Sequence, residues 1–203
     1  MRTLSTLSLI GVLTSALSFA VDLPRQSPEF VINYPNGEKQ LLSKTRGKVV
    51  LVEFLYTTCS HCQHTAGVFS KYQTDYGSRG FQALGIAFND MSNMLLPDFI
   101  KDFKPTFPVG FANRDPVLAF LGISQEERFV VPQIVLIDRK GMIRAQSPPL
   151  GDASLQDEKF MRARIEELLN GGTPAKTPSP TVRSTTPAGP RTTAATAKAS
   201  TAK

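Results

Sequence analysis

The sequence predicts an α/β fold in which a central mixed sheet is flanked by helices. An apolar, valine-rich run at 49–56 is typical of a strand that is buried on both faces. A helix-compatible segment at 62–76 follows it, and a second apolar run at 81–88 completes a β-α-β unit with two parallel strands.

A hairpin is predicted before this unit. Residues 30–34 and 40–42 have the composition of short strands, and Pro35-Asn36-Gly37 between them is a turn signal. The antiparallel hairpin and the parallel pair together make the predicted sheet mixed.

Four further elements are predicted after the β-α-β unit. A helix at 91–103, a short edge strand at 107–111 and a short helix at 116–121 come first. The last element is an amphipathic helix at 154–169. Its inward-facing residues are predicted to be Phe160, Ile165 and Leu168 or Leu169.

The 203 residues are enough for one ordinary domain with extra segments. Residues 1–20 are predicted to be a secretory signal peptide, because Arg2 precedes an apolar stretch and Ser18-Phe19-Ala20 resembles a cleavage site. An uncleaved membrane anchor is the alternative, although the apolar stretch is short and contains Ser and Thr. Export would place the chain in an oxidising compartment.

The globular domain is predicted to span 21–170, followed by a disordered basic tail, 171–203, rich in Thr, Pro and Ala. The tail carries five basic residues and no acidic one. Weak contact with an anionic envelope surface is one expectation for it, and a solubilising linker is the other. The domain holds 17 basic and 17 acidic residues, so it lacks the charge excess of a nucleic-acid-binding fold.

Both cysteines and both histidines of the chain lie between positions 59 and 64. Cys59 comes where the strand ends and the helix begins, and free backbone N–H groups and the helix dipole stabilise a thiolate there. His61 can add positive charge or a hydrogen bond. The i, i+3 spacing brings Cys62 within reach of Cys59. We therefore predict a redox-active disulfide in which Cys59 attacks a substrate disulfide and Cys62 resolves the mixed disulfide.

Two other roles are conceivable for these residues. A structural staple is disfavoured because closing so short a loop removes only about 2 kcal/mol of chain entropy, against about 5 kcal/mol for a hundred-residue loop. On a helix His61 and His64 lie about 200° away from the cysteines, so no metal site is predicted. A transient copper site formed by the two thiolates stays open. The methionines Met91, Met94 and Met142 are predicted to fill the core rather than bind metal.

Residues 50–62, with the sequence VLVEFLYTTCSHC, resemble the active-site strand and turn of the thioredoxin superfamily. The segment Gly47-Lys48-Val49-Val50 after the hairpin is similar to the TlpA/ResA-like branch of envelope thiol–disulfide oxidoreductases. Residues 130–143 resemble the cis-proline strand, the turn and the last strand of that branch. The resemblance covers about 27–170 and implies a thioredoxin-like fold with an N-terminal β-hairpin and an insertion before the cis-proline strand.

The resemblance also implies roles for individual residues. Cys59 would be the nucleophile and Cys62 a buried resolving thiol. Glu53 would move protons to and from Cys62. Pro132 would be a cis-proline beside the disulfide, and Val131 would offer backbone groups to the substrate chain. Glu53 also stands out physically, because a carboxylate in an apolar strand is costly unless it is used or paired. The alternative places Glu53 on the solvent face of an edge strand.

The motif departs from the TlpA/ResA pattern in a way that leaves the direction of electron flow open. Thr58 and Ser60 occupy positions where that branch usually has Trp and Pro. His61 beside the second cysteine and Val131 before the cis-proline are instead similar to the oxidising DsbA type. Such a histidine stabilises the reduced thiolate and makes the disulfide more oxidising.

The favoured function is that of an exported reductase of the TlpA/ResA type, located in the bacterial periplasm or cell envelope. Its partners would be client proteins with thiols or disulfides and a membrane or envelope redox partner; no cofactor beyond the Cys59–Cys62 disulfide is implied. A DsbA-like oxidase and a copper-binding module are alternatives. A peroxiredoxin-like peroxidase is disfavoured because that family has Pro and Thr where this chain has Val52 and Tyr56.

Overall fold

The computed structural model describes residues 22–171. The predicted signal segment 1–20 and the chain beyond 171 lie outside the described residues, so the predicted domain limits stay predictions. Between residues 22 and 171, none of the helices combines the length and the apolar character needed to cross a membrane.

Within residues 22–171, an eight-stranded sheet forms the centre of the fold. Its strands are β1 (Arg25–Gln26), β2 (Val31–Asn33), β3 (Lys39–Leu41), β4 (Val49–Leu55), β5 (Phe81–Ala87), β6 (Val109–Phe111), β7 (Gln133–Ile137) and β8 (Met142–Gln146). They lie in the order β1-β8-β7-β4-β5-β6-β2-β3. The pairs β4–β5 and β5–β6 are parallel and all other pairs are antiparallel. The predicted mixed sheet is therefore confirmed.

Helices cover both faces of this sheet. They are α1 (Ser60–Tyr76), α2 (Ser92–Phe103), α3 (Arg114–Leu121), α4 (Ala153–Gln156) and α5 (Glu158–Leu169). The core on one face contains side chains from α1, α2, α4 and α5, and the core on the other face contains α3 and the β2–β3 hairpin. This arrangement confirms the predicted α/β class.

Strand β4 is the central element, and all seven of its residues are buried. Because side chains alternate along a strand, Val49, Leu51 and Leu55 enter the core beneath α1, whereas Val52 and Phe54 enter the core beneath α3. The same alternation places the side chain of Glu53 on the α1 side of the sheet. The strand buried on both faces is thus found where the sequence predicts it.

Strand β6 is not the edge strand that the sequence predicts. It lies between β5 and β2, and Asn33 of β2 is paired with Phe111. Gly110 makes this approach possible, because a Cβ atom there would lie 2.6 Å from the backbone oxygen of Asn33. The hairpin therefore covers β6, and β3 becomes the edge.

The last predicted helix is interrupted. Asp157 adopts an extended backbone conformation, and its carboxylate accepts a 2.7 Å hydrogen bond from the Phe160 N–H, so the chain starts a new helix there. The restart changes which side chains face the core. Met161, Ile165 and Leu168 are buried, and Phe160 is only half-buried.

Candidate active site

Cys59 lies at the junction of the central strand and the helix that follows it. It occupies the N-cap position of α1, with extended backbone angles of φ −86° and ψ 119°. Its sulfur accepts a hydrogen bond from the Cys62 N–H at 3.4 Å. Since the free N–H groups of a helix N-terminus favour negative charge, this position suits a thiolate that is open to solvent on one side.

Cys62 has a different environment on the same helical turn. Its side chain is fully buried in the core between α1 and the sheet, whereas Cys59 is partly exposed. Burial, reinforced by the neighbouring Cys59 sulfur, raises the pKa of the Cys62 thiol strongly. Both cysteines are free thiols in this structure. The two sulfur atoms are thus chemically unequal, one accessible and one held protonated.

Glu53 is enclosed on the α1 side of the sheet. Its exposed fraction is 0%, and neither carboxylate oxygen has a hydrogen-bond partner among residues 22–171. Its cross-strand neighbours are Gly85 and Ile134. Burial raises the pKa of the Glu53 carboxyl well above its ordinary value, and negative charge on Cys59 raises it further. The solvent-facing alternative for Glu53 is therefore wrong.

The loop before β7 faces the first thiol. The Val131–Pro132 peptide bond is cis, as the resemblance implies. The Cys59 Sγ lies 3.9 Å from the Val131 carbonyl oxygen, and Pro132 is buried. The structure thus brings Val131 next to Cys59 although 72 positions separate them in the chain.

His61 is placed differently from the other predicted site residues. It is the second residue of α1 and is exposed, as is His64 one turn on. Within the described part of the chain, His61 makes no side-chain hydrogen bond and no ion pair. Any effect of His61 on the thiols would therefore be electrostatic and not through a hydrogen bond in this structure, and the predicted role of His61 stays a prediction.

Two residues that the sequence did not single out hold the turn before Cys59. Asn89 Oδ1 accepts hydrogen bonds from the Thr57 N–H at 2.9 Å and from the Thr57 hydroxyl at 3.3 Å. Gln63 Nε2 donates to the Thr57 carbonyl at 3.0 Å. The only sequence signal was that Asn89 follows a buried strand whose parallel neighbour leads into the cysteine motif. These contacts restrain the turn from both sides.

Both histidines of α1 are exposed, whereas Cys62 is buried. In the described range, 22–171, no group of three or more His, Cys, Asp or Glu side chains is arranged to hold a metal ion. The chemistry that this site offers is that of two unequal thiols with a buried acid beneath them.

The fold and this dithiol site define a thiol–disulfide oxidoreductase with a thioredoxin-like fold. The model of the AhpC/TSA family matches residues 24–146 of this chain. The chain belongs to the AhpC/TSA family.

Two curated relatives are similar to more than half of this chain. The chain is 26% identical over 125 residues to the thiol-disulfide oxidoreductase ResA of Geobacillus thermodenitrificans, covering 62% of this chain and 68% of that protein. It is 25% identical over 122 residues to the thioredoxin-like protein YneN of Bacillus subtilis, covering 59% of this chain and 68% of that protein.

Solved structures share the fold. The thioredoxin domain of a thiol-disulfide oxidoreductase from Bacteroides vulgatus superposes with a TM-score of 0.60 at 21% identity, covering 74% of this chain and 100% of that one. A thiol:disulfide interchange protein of the thioredoxin family from Chlorobium tepidum superposes with a TM-score of 0.59 at 22% identity, covering 74% and 99%.

Proposed function

We propose that this protein is an exported thiol–disulfide oxidoreductase of the TlpA/ResA type, which reduces disulfides of client proteins through Cys59 and Cys62. The observation that carries the proposal is the inequality of the two thiols. Cys59 is accessible at a helix N-terminus, and Cys62 is buried with a raised pKa. A nucleophile needs the first environment, and a resolving thiol that must wait for the mixed disulfide suits the second.

In the proposed reaction the Cys59 thiolate attacks one sulfur of a client disulfide. The client S–S bond breaks, a Cys59–client bond forms, and the released client thiolate takes a proton. Cys62 then loses its proton and attacks the Cys59 sulfur, which breaks the mixed disulfide and forms the Cys59–Cys62 disulfide. The client gains two electrons. An envelope redox partner returns two electrons to the enzyme in the next cycle.

Glu53 is the proposed acceptor of the Cys62 proton. It lies on the α1 side of β4, and its charge contributes to the raised pKa of the Cys62 thiol. The charge of Cys59 is one of two causes that raise the pKa of Glu53. When Cys59 enters the mixed disulfide its charge disappears, so Glu53 ionises more readily just when Cys62 must be deprotonated.

The client chain would bind beside the cis-proline. Val131 has its carbonyl oxygen directed at the Cys59 sulfur, so a client segment extended along Val131 and Pro132 would present its disulfide to Cys59. Backbone pairing of this kind tolerates different client sequences, because it depends on main-chain groups.

Export and envelope location form part of the proposal. Residues 1–20 supply the support, as a secretory signal or an uncleaved anchor. Contact between the basic tail and an anionic envelope surface is proposed with it. Fractionation of cells followed by N-terminal sequencing tests this part: cleavage after Ala20 with recovery in the envelope is expected, whereas a cytosolic protein with an intact N-terminus would contradict it.

The second candidate is an oxidase of the DsbA type, favoured by His61 beside the second cysteine. The reduction potential of the Cys59–Cys62 couple separates the two, because a reductase lies near about −270 mV and a strong oxidase near about −120 mV. If the protein is a reductase, the wild type should catalyse the reduction of insulin with dithiothreitol as electron source. Cys59→Ser should abolish this activity, and His64→Ala, on the exposed side of α1, serves as the control.

Stoichiometric Cu(I) binding without disulfide turnover would support the copper module instead.

A further inference from the structure

Gln133 follows the cis-proline and makes an unusual set of contacts. Its side chain is fully buried at the start of β7. The amide Nε2 lies within hydrogen-bond distance of three main-chain carbonyls, those of Val130 at 2.8 Å, Pro149 at 3.1 Å and Pro148 at 3.3 Å, so its two N–H groups serve three acceptors and one N–H is shared. One side chain thus contacts the loop before β7 and the loop after β8 at the same time.

These carbonyls depend on Gln133 to different degrees. Pro149 also accepts from the Val130 N–H at 2.9 Å, and Pro148 accepts from the Gly151 N–H at 2.8 Å. For the Val130 carbonyl, Gln133 is the one hydrogen-bond donor among residues 22–171. Removal of the amide would therefore leave the Val130 carbonyl with no hydrogen-bond donor among these residues, whereas the carbonyls of Pro148 and Pro149 would each keep one.

The oxygen of the same amide indicates that the N–H donors, and not the oxygen, are the functional part of this side chain. Gln133 Oε1 is buried and has no hydrogen-bond partner in the described part of the chain. An apolar side chain would avoid that cost. The donor group accounts for the presence of a glutamine, since three carbonyls converge on it.

The loop that Gln133 holds is the loop that faces the nucleophile. Val131 lies between the Val130 peptide and Pro132, and its carbonyl oxygen is 3.9 Å from the Cys59 sulfur. We propose that Gln133 is a positioning residue for client binding: it fixes the Val130–Val131 backbone against the Pro148–Pro149 loop so that a client chain is aligned with Cys59. This inference rests on the proposed function.

The inference separates large substrates from small ones. A protein disulfide must align its chain along Val131, whereas a small disulfide such as 5,5′-dithiobis(2-nitrobenzoate) needs only the Cys59 sulfur. Gln133→Met keeps the length of the side chain and removes the donor. We expect it to raise KM for insulin about tenfold, since a loosened loop must be ordered on binding. The kcat for insulin and the rate with the small disulfide should stay within about twofold.

Ser147→Ala is the matched control. The Ser147 hydroxyl accepts a 3.1 Å hydrogen bond from the Ile134 N–H, so this variant removes a buried hydrogen bond at the same end of β7 without touching Val130. It should leave KM for insulin unchanged. If it raised KM as much as Gln133→Met does, general loosening of the sheet would be responsible and the inference would be wrong.

Amide hydrogen exchange gives a readout that does not require turnover. The Val130 N–H, bonded to Pro149, should exchange about tenfold faster in Gln133→Met than in the wild type. If Gln133→Met does not fold by circular dichroism, Gln133→Asn, which shortens the reach of the amide, is measured in the same way.

The outcomes are distinct. An unchanged KM for insulin, an unchanged Val130 exchange rate, or an equal loss with insulin and the small disulfide would each overturn the inference alone. If the wild type did not reduce insulin, the proposed function and this inference would both be overturned.

Discussion

Glu53 and Cys62 are both completely buried in the space between the central strand and the helix that follows it. Burial is the main cause that raises the pKa of each group, and the charge of Glu53 contributes to the raised pKa of Cys62. The two groups are therefore held protonated together. In the proposed mechanism Glu53 can accept the Cys62 proton only after it has lost its own, and the loss of the Cys59 charge in the mixed disulfide favours that ionisation.

The raised pKa of Glu53 predicts a pH-dependent stability. Between about 4.3, where the unfolded carboxyl titrates, and the higher folded pKa, the unfolded state loses a proton that the folded state keeps, so the free energy of unfolding falls by up to ~1.4 kcal/mol per pH unit. Glu53→Gln removes this dependence. Its stability relative to the wild type should be at its lowest near pH 4 and should increase towards pH 7, as measured by urea unfolding of the reduced proteins.

The same variant should turn over insulin more slowly, because a neutral amide in place of the carboxylate cannot accept a proton from Cys62. Glu126→Gln, in an exposed loop, is the matched control for both measurements. A stability difference that stays constant with pH would show that Glu53 is not held protonated. An unchanged turnover rate would remove its proposed proton-transfer role.

Alkylation should distinguish the two thiols. Iodoacetamide at neutral pH is expected to modify Cys59 in Cys62→Ser at least about tenfold faster than Cys62 in Cys59→Ser, because reactivity follows accessibility and thiolate content. Mass spectrometry after timed quenching gives both rates. In urea the two rates should converge, since unfolding removes the burial of Cys62. Equal rates in the folded state would contradict the assigned inequality.

Replacement of His61 should change the reduction potential. A cationic or hydrogen-bonding group near a helix N-terminus stabilises the reduced thiolate, so His61→Pro is expected to lower the potential by some tens of mV, where about 30 mV corresponds to a free energy of 1.4 kcal/mol. Equilibration with glutathione or dithiothreitol measures it. His64→Ala, which removes the other exposed histidine of α1, should leave the potential unchanged. No shift in His61→Pro would show that His61 does not interact with the thiolate.

Two glycines should respond to alanine with opposite signs. Gly67 lies in α1 with open space around its Cα, so Gly67→Ala should raise the free energy of unfolding by about 1 kcal/mol through helix propensity. At Gly110 the new methyl group would meet Ile32 and the Asn33 carbonyl. Gly110→Ala should therefore cost about 1–3 kcal/mol by overpacking. Denaturant unfolding tests both predictions. If Gly110→Ala left the free energy of unfolding unchanged, the close packing of the hairpin against β6 would be contradicted.

Local patterns predicted the elements with strong periodicity. The valine-rich run is β4, the hairpin turns at Asn36-Gly37, and the parallel pair with its helix is found where expected. Weak or capped elements were less predictable. The two-residue strand β1 carries no pattern, and the break at Asp157 depends on a single cap. The predicted core residues Met91 and Met94 are instead 63% and 70% exposed, because Met91 caps the N-terminus of α2 and Met94 lies on the solvent side of its first turn.

The candidate site divides in the same way. Cys59, Cys62, Glu53 and Pro132 were all singled out from the sequence, through short motifs and the family resemblance, and the catalytic roles given to them stay predictions. Their contacts were not predictable from motifs. Asn89, which follows β5, accepts a hydrogen bond from Thr57, which follows the adjacent strand β4. Gln133 joins the loop before β7 to the loop after β8.

The order of strands and helices and the presence of two thiols at a strand–helix junction follow from the sequence, since both depend on residues that are neighbours in the chain. The family resemblance implied that Cys62 is the buried thiol. Packing decided the rest: that Glu53 has no partner among the described residues and that the Val131 carbonyl meets Cys59. Burial and hydrogen-bond partners arise from contacts between residues that are tens of positions apart, 32 for Thr57 and Asn89 and 72 for Cys59 and Val131, and no local pattern encodes those.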